Sequence, residues 1–187
     1  YITIKGKPNN SSTFYIQLID LDSYKIIELN ESFSNIQDED FFRSVLIVLK
    51  NAGFSFSQGY DIKISGNIPI NAGLSSSSAL VVAWIRFLLS AENKENEVSN
   101  QQIGQWAYEA EVLFFNGQGG LMDQYTIAQG GMLYIDTEHS KTYRLENNLG
   151  LLVVAESGIA KKTQSVLKNA KTYGIAAIES VNSEVSD

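Results

Sequence analysis

The sequence predicts an α+β fold, a sheet opened by antiparallel strands and covered by helices, and three observations carry that prediction. Residues 1–29 alternate apolar and polar positions in short runs broken by turn chemistry. Two apolar stretches, FFRSVLIVLKNAG and ALVVAWIRFLLSAE, have the spacing and length of helices. Between them stands GYDIKISGNIP, which alternates around Ile62 and Ile64 and stops at Pro69, as a strand leading into a loop does. With 187 residues, 44% of them hydrophobic and 19% charged, the chain can bury an ample core, enough for one domain and part of a second.

In chain order, YITIKGKPNNSSTFYIQLIDLDSYKIIEL reads as antiparallel strands, with Pro8-Asn9-Asn10-Ser11 and Asp22-Ser23 as the turns. It begins on a strand with no lead-in, so an upstream segment is expected to be missing. Asp38-Glu39-Asp40 then precede the first helix, where acids suit the positive N-terminal end, and Gly53 stops it shortly after Lys50. After the strand to Pro69, the loop INAGLSSSS runs straight into the second helix. That helix offers little to solvent besides Arg86 and should be mostly buried. A polar linker, AENKENEVSNQQ, leads to a third helix, IGQWAYEAEVLFFN, which ends at the glycine-rich GQGG. LMDQYTIAQ follows, and GGMLYIDTE with KTYRLE forms a hairpin with His139 near its turn. GLLVVAES has the continuous apolar run of a buried strand, and KKTQSVLKNAKTYGIAAIESV returns to helical spacing. One strand and one helix cannot enclose a core, so the chain from about Gly150 onward is expected to open a second domain that is cut short.

The charge balance excludes several classes of function. Net charge is −7 with 14 Lys and Arg spread singly, so no face assembles the cationic patch that nucleic acid requires. The absence of cysteine removes disulfides, a thiolate nucleophile and thiolate-bound metals, and the single His139 cannot build a multi-histidine site. The longest apolar run, Ala79 to Leu89, is interrupted by Arg86 and falls short of the roughly 18 residues of a membrane span. YITIKGKP lacks the basic-then-apolar pattern of a signal peptide. The expectation is a cytoplasmic, acidic enzyme acting on a small molecule.

Two segments carry the chemistry. In Pro69-Ile70-Asn71-Ala72-Gly73-Leu74-Ser75-Ser76-Ser77-Ser78-Ala79, glycine lets the backbone approach a ligand, and a helix starting in the serines aims free N–H groups and its positive end at the loop. That arrangement attracts phosphate, and serine hydroxyls can ligate Mg²⁺, which prefers oxygen donors. A flexible Gly/Ser linker or a helix cap without ligand are the alternatives; no Gly-Lys-Ser/Thr ending makes it a Walker loop. In the second segment, Glu111 to Gln124, two acids flank the glycine-rich turn Gly117-Gln118-Gly119-Gly120 and could pair as metal ligand and catalytic carboxylate. The alternative makes Glu109 and Glu111 solvated helix residues and Asp123 the N-cap of a segment from Gln124 to Ala128.

Taken together these segments resemble the GHMP small-molecule kinases. GLSSSSA after a strand and a proline is similar to the second signature of that family, and GGLMDQ resembles the Gly-Ile-Met-Asp-Gln stretch of its galactokinase branch. Phe41-Phe42-Arg43-Ser44-Val45, GYDIKISGNIP and the pair GGMLYID and KTYRLE also resemble galactokinase elements, so the likeness runs over roughly residues 36 to 155. It implies ATP-dependent phosphorylation of a hydroxyl on a small metabolite, most often a sugar. Gly73, Leu74, Ser75, Ser76, Ser77 and Ser78 would then line the nucleotide, and Ser77 and Glu111 would contact Mg²⁺. Asp123 would be the catalytic aspartate, with Gly119 and Gly120 beside it approaching the substrate. The implied fold over 1–149 is the GHMP-kinase N-terminal fold, a mixed sheet with helices similar to ribosomal-protein domain 2, incomplete at its start. Residues 150–187 would begin a ferredoxin-like C-terminal domain.

The sequence departs from the branch in places. Asn71 and Gly119 replace a usual glycine and cysteine, and SGIAKKT at 157–163 is closer to mevalonate-type members. A mevalonate-like kinase of a non-sugar alcohol, or a catalytically silent sugar and nucleotide sensor, are thus the other readings. The family's first signature, Arg-x-Asn-Leu-Ile-Gly-Glu-His-x-Asp-Tyr, and its glycine-rich third are missing. The chain is therefore expected to be an internal fragment, inactive by itself, with Leu151, Val153 and Ile159 exposed or covered by chain outside this sequence.

Overall fold

A computed structural model describes residues 1–70, 72–146, 150–155 and 163–184. Strand β1 (Ile2–Pro8) leads through Asn9 to β2 (Thr13–Leu18). Asn9 shapes that turn, since its Oδ1 accepts from the Ser11 amide at 3.1 Å and hydroxyl at 2.7 Å, and its Nδ2 reaches Thr13 O and Asp61. A single 3₁₀ turn at Ile19–Leu21 joins β2 to β3 (Ser23–Glu28), its antiparallel neighbour. Helix α1 (Phe41–Asn51) is capped by Asp40, which accepts from the Arg43 amide. Strand β4 (Tyr60–Gly66) then enters between β1 and β2, antiparallel to the first and parallel to the second. The sheet order is β1-β4-β2-β3, so the sheet is mixed. The expectation of antiparallel strands across residues 1–29 holds for β2 and β3, whereas β1 and β2 are not neighbours. A parallel β2–β4 pair needs a long crossover, which β3 and α1 supply.

The inner face of the sheet buries Phe14, Ile16, Ile27, Ile62 and Ile64 against α1 and α2 (Ser76–Ala91), while Tyr15, Tyr24 and Ile26 stay on the outer face. As expected, α2 is buried on most sides. Trp84 is its centre, set edge-on to Phe14 and Phe42, stacked on Phe87 and bonded through Nε1 to the Phe42 carbonyl at 3.2 Å. Each such aromatic pair contributes about 0.5–1.5 kcal/mol beyond its buried area.

Ser99 accepts from the Gln102 amide and starts α3 (Asn100–Tyr108), which continues as a π-helical turn over Glu109–Leu113. After the glycine-rich loop comes α4 (Met122–Gln129), then the hairpin of β5 (Met132–Asp136) and β6 (Lys141–Leu145), with His139 at its turn as expected. Residues 151–155 do not form the expected buried strand. They lie outside any ladder and are exposed, Leu151 and Val153 almost fully, because no strand among the described residues offers them the hydrogen bonds a buried backbone requires. SGIA at 157–160, with Ile159, lies outside the described residues, and α5 (Thr163–Glu184) forms where helical spacing placed it. Among the described residues no helix is long and apolar enough to cross a membrane.

Candidate active site

The serine loop turns into α2 through two left-handed residues. Gly73 has φ +78°, a conformation glycine adopts freely, and Ser75, the residue before the helix, has φ +52° and ψ +39°. The first bond of α2 runs from the Ala79 amide to Ser75 O at 3.0 Å, so the amides of Ser76, Ser77 and Ser78 have no intrahelical acceptor and add to the positive end of the helix dipole. Gly73, Leu74 and Ser77 are exposed, Ser75 and Ser76 half-buried and Ser78 buried. The loop thus faces outward, with the Ser77 hydroxyl accessible in the first helical turn.

The acidic half of the site depends on the π-helical turn. The Phe114 amide bonds Glu109 O and the Gly117 amide bonds Val112 O, both at 2.8 Å and both spanning five residues. This wider turn splits two nearby glutamates between different partners. Glu109 accepts from Gln105 at 2.7 Å, one turn back on α3, while Glu111 Oε2 accepts from Gln124 Nε2 on α4 at 2.7 Å. The glycine-rich loop then reverses the chain, Leu121 is buried, and α4 begins. Asp123 is not an N-cap: Leu121 holds that position, and Asp123 sits exposed in the first turn, where a carboxylate is favoured by the helix dipole.

Gly73, Leu74 and Ser75 line one cleft of about 690 Å³ together with Asp123. Its floor is apolar, from Val82 and Ala83 of α2 and Ile127 of α4, and Arg86 and Thr126 supply polar groups. Ser76, Ser77, Ser78, Glu111, Gly119 and Gly120 are not on that wall. Ser78 and Glu111 are instead joined through Gln124, whose Nε2 also reaches Ser78 Oγ at 3.3 Å. Gly119 is half-buried and Gly120 exposed in the loop before α4.

Sequence reasoning missed two residues here. Gln124 stands beside Asp123 with no local signal to mark it, since its partners Glu111 and Ser78 lie elsewhere in the sequence. Arg86, which the sequence marks as a break in an apolar run and the solvent-facing residue of its helix, also donates to Ala128 O at 2.8 Å and Asn100 Oδ1 at 2.9 Å, tying α2 to the end of α4 and the start of α3.

Among the described residues no group of three or more His, Cys, Asp or Glu could hold a metal. An exposed serine hydroxyl and one half-buried carboxylate still suit a hard cation that takes the rest of its oxygen shell from phosphate and water, as Mg²⁺ commonly does.

Residues 40–131, from the cap of α1 to the end of α4, match the family model described as GHMP kinases N terminal domain. Over those residues, 92 of 187, the chain carries the GHMP kinase N-terminal domain. It is 27% identical over 195 residues to a galactokinase of Mannheimia succiniciproducens, covering 96% of this chain and 50% of that protein. It is also 28% identical over 181 residues to a mevalonate kinase of Methanocaldococcus jannaschii, covering 90% and 57%. The crystal structure of Lactococcus lactis galactokinase complexed with galactose superposes with a TM-score of 0.67 at 21% identity, over 76% of this chain and 38% of that one, a likeness of fold. The chain spans about half the length of the curated relatives it matches. Its mixed sheet and flanking helices are the GHMP kinase architecture.

Proposed function

We propose that the protein containing this chain transfers the γ-phosphoryl group of ATP to a hydroxyl of a monosaccharide, as a galactokinase-like member of the GHMP kinase family, and that residues 150–187 open its second domain. The observation that carries this reading is the cleft that Gly73, Leu74 and Ser75, the turn leading into the N-terminal end of α2, line together with Asp123, a carboxylate able to accept a proton.

In this reading the amides of Ser76, Ser77 and Ser78 cradle the nucleotide phosphates and the helix dipole offsets their charge. Asp123 orients the acceptor hydroxyl toward the γ-phosphate and takes its proton as the new O–P bond forms and the bond to ADP breaks. Ser77 and Glu111 would hold Mg²⁺, which when bound offsets charge on the phosphates. Gly119 and Gly120 present backbone groups beside the acceptor.

A second reading, phosphorylation of a non-sugar alcohol, is favoured by the mevalonate kinase relative, which aligns with 90% of the chain. ADP release by the full-length protein, measured against monosaccharides and against mevalonate, separates the two. The sugar reading expects release with a monosaccharide and not with mevalonate. The reverse result overturns it, and sugar and nucleotide binding without ADP release would mark a silent sensor.

A further inference from the structure

Gln124 is 3% exposed and stands one residue from Asp123, yet its side chain leaves the cleft and enters the core. There the amide nitrogen donates to Glu111 Oε2 at 2.7 Å and, at the longer distance of 3.3 Å, to Ser78 Oγ, itself 2% exposed. The orientation of the amide follows from its neighbour, because an amide oxygen turned toward an ionised carboxylate would be repelled. The Gln124 oxygen, in consequence, has no hydrogen-bond partner among the described residues. A buried carbonyl without a partner is costly, and an apolar side chain of the same length would avoid that cost. What the amide offers in return is its donor.

We propose that Gln124 is a positioning residue: by engaging one oxygen of Glu111 it fixes the carboxylate and leaves the other oxygen for a cation, and through Ser78 it locks that carboxylate to the first turn of the serine-loop helix. The proposal rests on the reading of Glu111 as the Mg²⁺ ligand. It gives α4 two adjacent tasks, Asp123 facing the cleft and Gln124 fixing the metal carboxylate from behind. Three segments far apart in sequence, the serine helix, the π-helical turn and α4, then move as one unit.

The test is calorimetric binding of ATP to the full-length protein, with Mg²⁺ titrated in and again in EDTA, alongside thermal unfolding. Gln124→Met keeps the length and removes both the donor and the orphaned oxygen. Expected are a thermal midpoint unchanged or raised, ATP binding in EDTA unchanged, and a Mg²⁺ half-saturation raised about 10–100-fold, the usual effect of losing a partner behind a metal ligand. Gln124→Asn, one methylene too short to span both partners, should show the same shift and decides the matter if the methionine variant does not fold. Wild-type Mg²⁺ dependence in these variants, while Glu111→Gln weakens it, rejects the positioning role alone. A wild-type protein whose ATP binding is indifferent to Mg²⁺ and to Glu111→Gln overturns the metal reading and the proposal with it.

Discussion

Gly104 on α3 meets Tyr125 on α4 backbone to backbone: a Cβ at Gly104 would stand 3.1 Å from the Tyr125 Cα and 3.3 Å from its ring. Tyr125 is itself locked, buried with its hydroxyl donated to Gln105 Oε1 at 2.6 Å. Helix α4 therefore cannot move away from α3 without breaking that bond, and the position of Asp123 is set by the absence of a side chain at residue 104.

Gly104→Ala gains up to about 1 kcal/mol of helix propensity and must push α4 by a few tenths of an ångström, so its stability should change little. Gly104→Val should cost about 1–3 kcal/mol through overpacking, read as a lower midpoint in urea. In the full-length protein both should reduce phosphorylation turnover if Asp123 is the proton acceptor, because Asp123 moves with α4. A valine variant with wild-type kcat would show that α4 does not carry the catalytic group.

Asp123→Ala separates stability from turnover. The side chain is exposed in the first turn of α4, so its loss should cost no more than the helix-dipole contribution, about 0.3–1 kcal/mol. Phosphorylation by the full-length protein should fall about 10²–10⁴-fold if Asp123 is the proton acceptor. Unchanged turnover would reject that role.

Much of this arrangement was legible in local sequence. Helices α1 and α2 follow from apolar spacing, the acids before Phe41 and the serines before Ala79, and the β5–β6 hairpin follows from its alternation. The insertion of β4 between β1 and β2 was not legible, since strand order is decided by crossover geometry and by which apolar faces meet, not by any residue in the turn at Asn9. The run Leu151–Val154 is exposed, as expected, but forms no strand, because continuous apolarity states a need for burial without naming what provides it. In the site, Ser75 and Asp123 could be found as chemistry-bearing types in glycine-rich surroundings. Gln124 could not, because its role arises from a contact with Glu111 that the π-helical turn and the loop create together.

The hairpin turn carries a pH signature. The Asp136 carboxylate accepts from the His139 amide and ring and from the Glu138 amide, bonds that hold its pKa below the ordinary carboxylate value. A depressed folded-state value means that the turn's contribution is present above the unfolded pKa of about 3.9 and is lost as pH falls through the lowered one. Asp136→Asn should therefore lower the thermal midpoint at neutral pH, and the difference from wild type should close as pH falls through the lowered pKa. A difference that persists there would assign the effect to the turn geometry instead of the charge.

Ser75 poses the opposite balance, since its left-handed backbone is unfavourable for any residue with a Cβ, by about 1–2 kcal/mol, and no hydrogen bond from its side chain caps the helix it precedes. Ser75→Gly removes that strain but adds backbone freedom worth about 0.5–1 kcal/mol to the unfolded chain. Folding stability should thus stay level or rise by about 1 kcal/mol, measured by urea denaturation. A residue that could be replaced at no cost to the fold has another reason to hold its conformation, and the loop it ends lines the cleft with Asp123. If that reason is to keep the amides of Ser76 to Ser78 aimed at phosphate, the glycine variant should bind ATP several-fold more weakly while unfolding no earlier, because the loop must be ordered at the moment of binding. Ser75→Ala keeps the strain and loses only the hydroxyl, so near-wild-type affinity in that variant assigns the effect to the backbone. Equal ATP affinity in the wild type and the glycine variant would leave the strained turn without a part in binding nucleotide and would move the search for the phosphate contacts away from this loop.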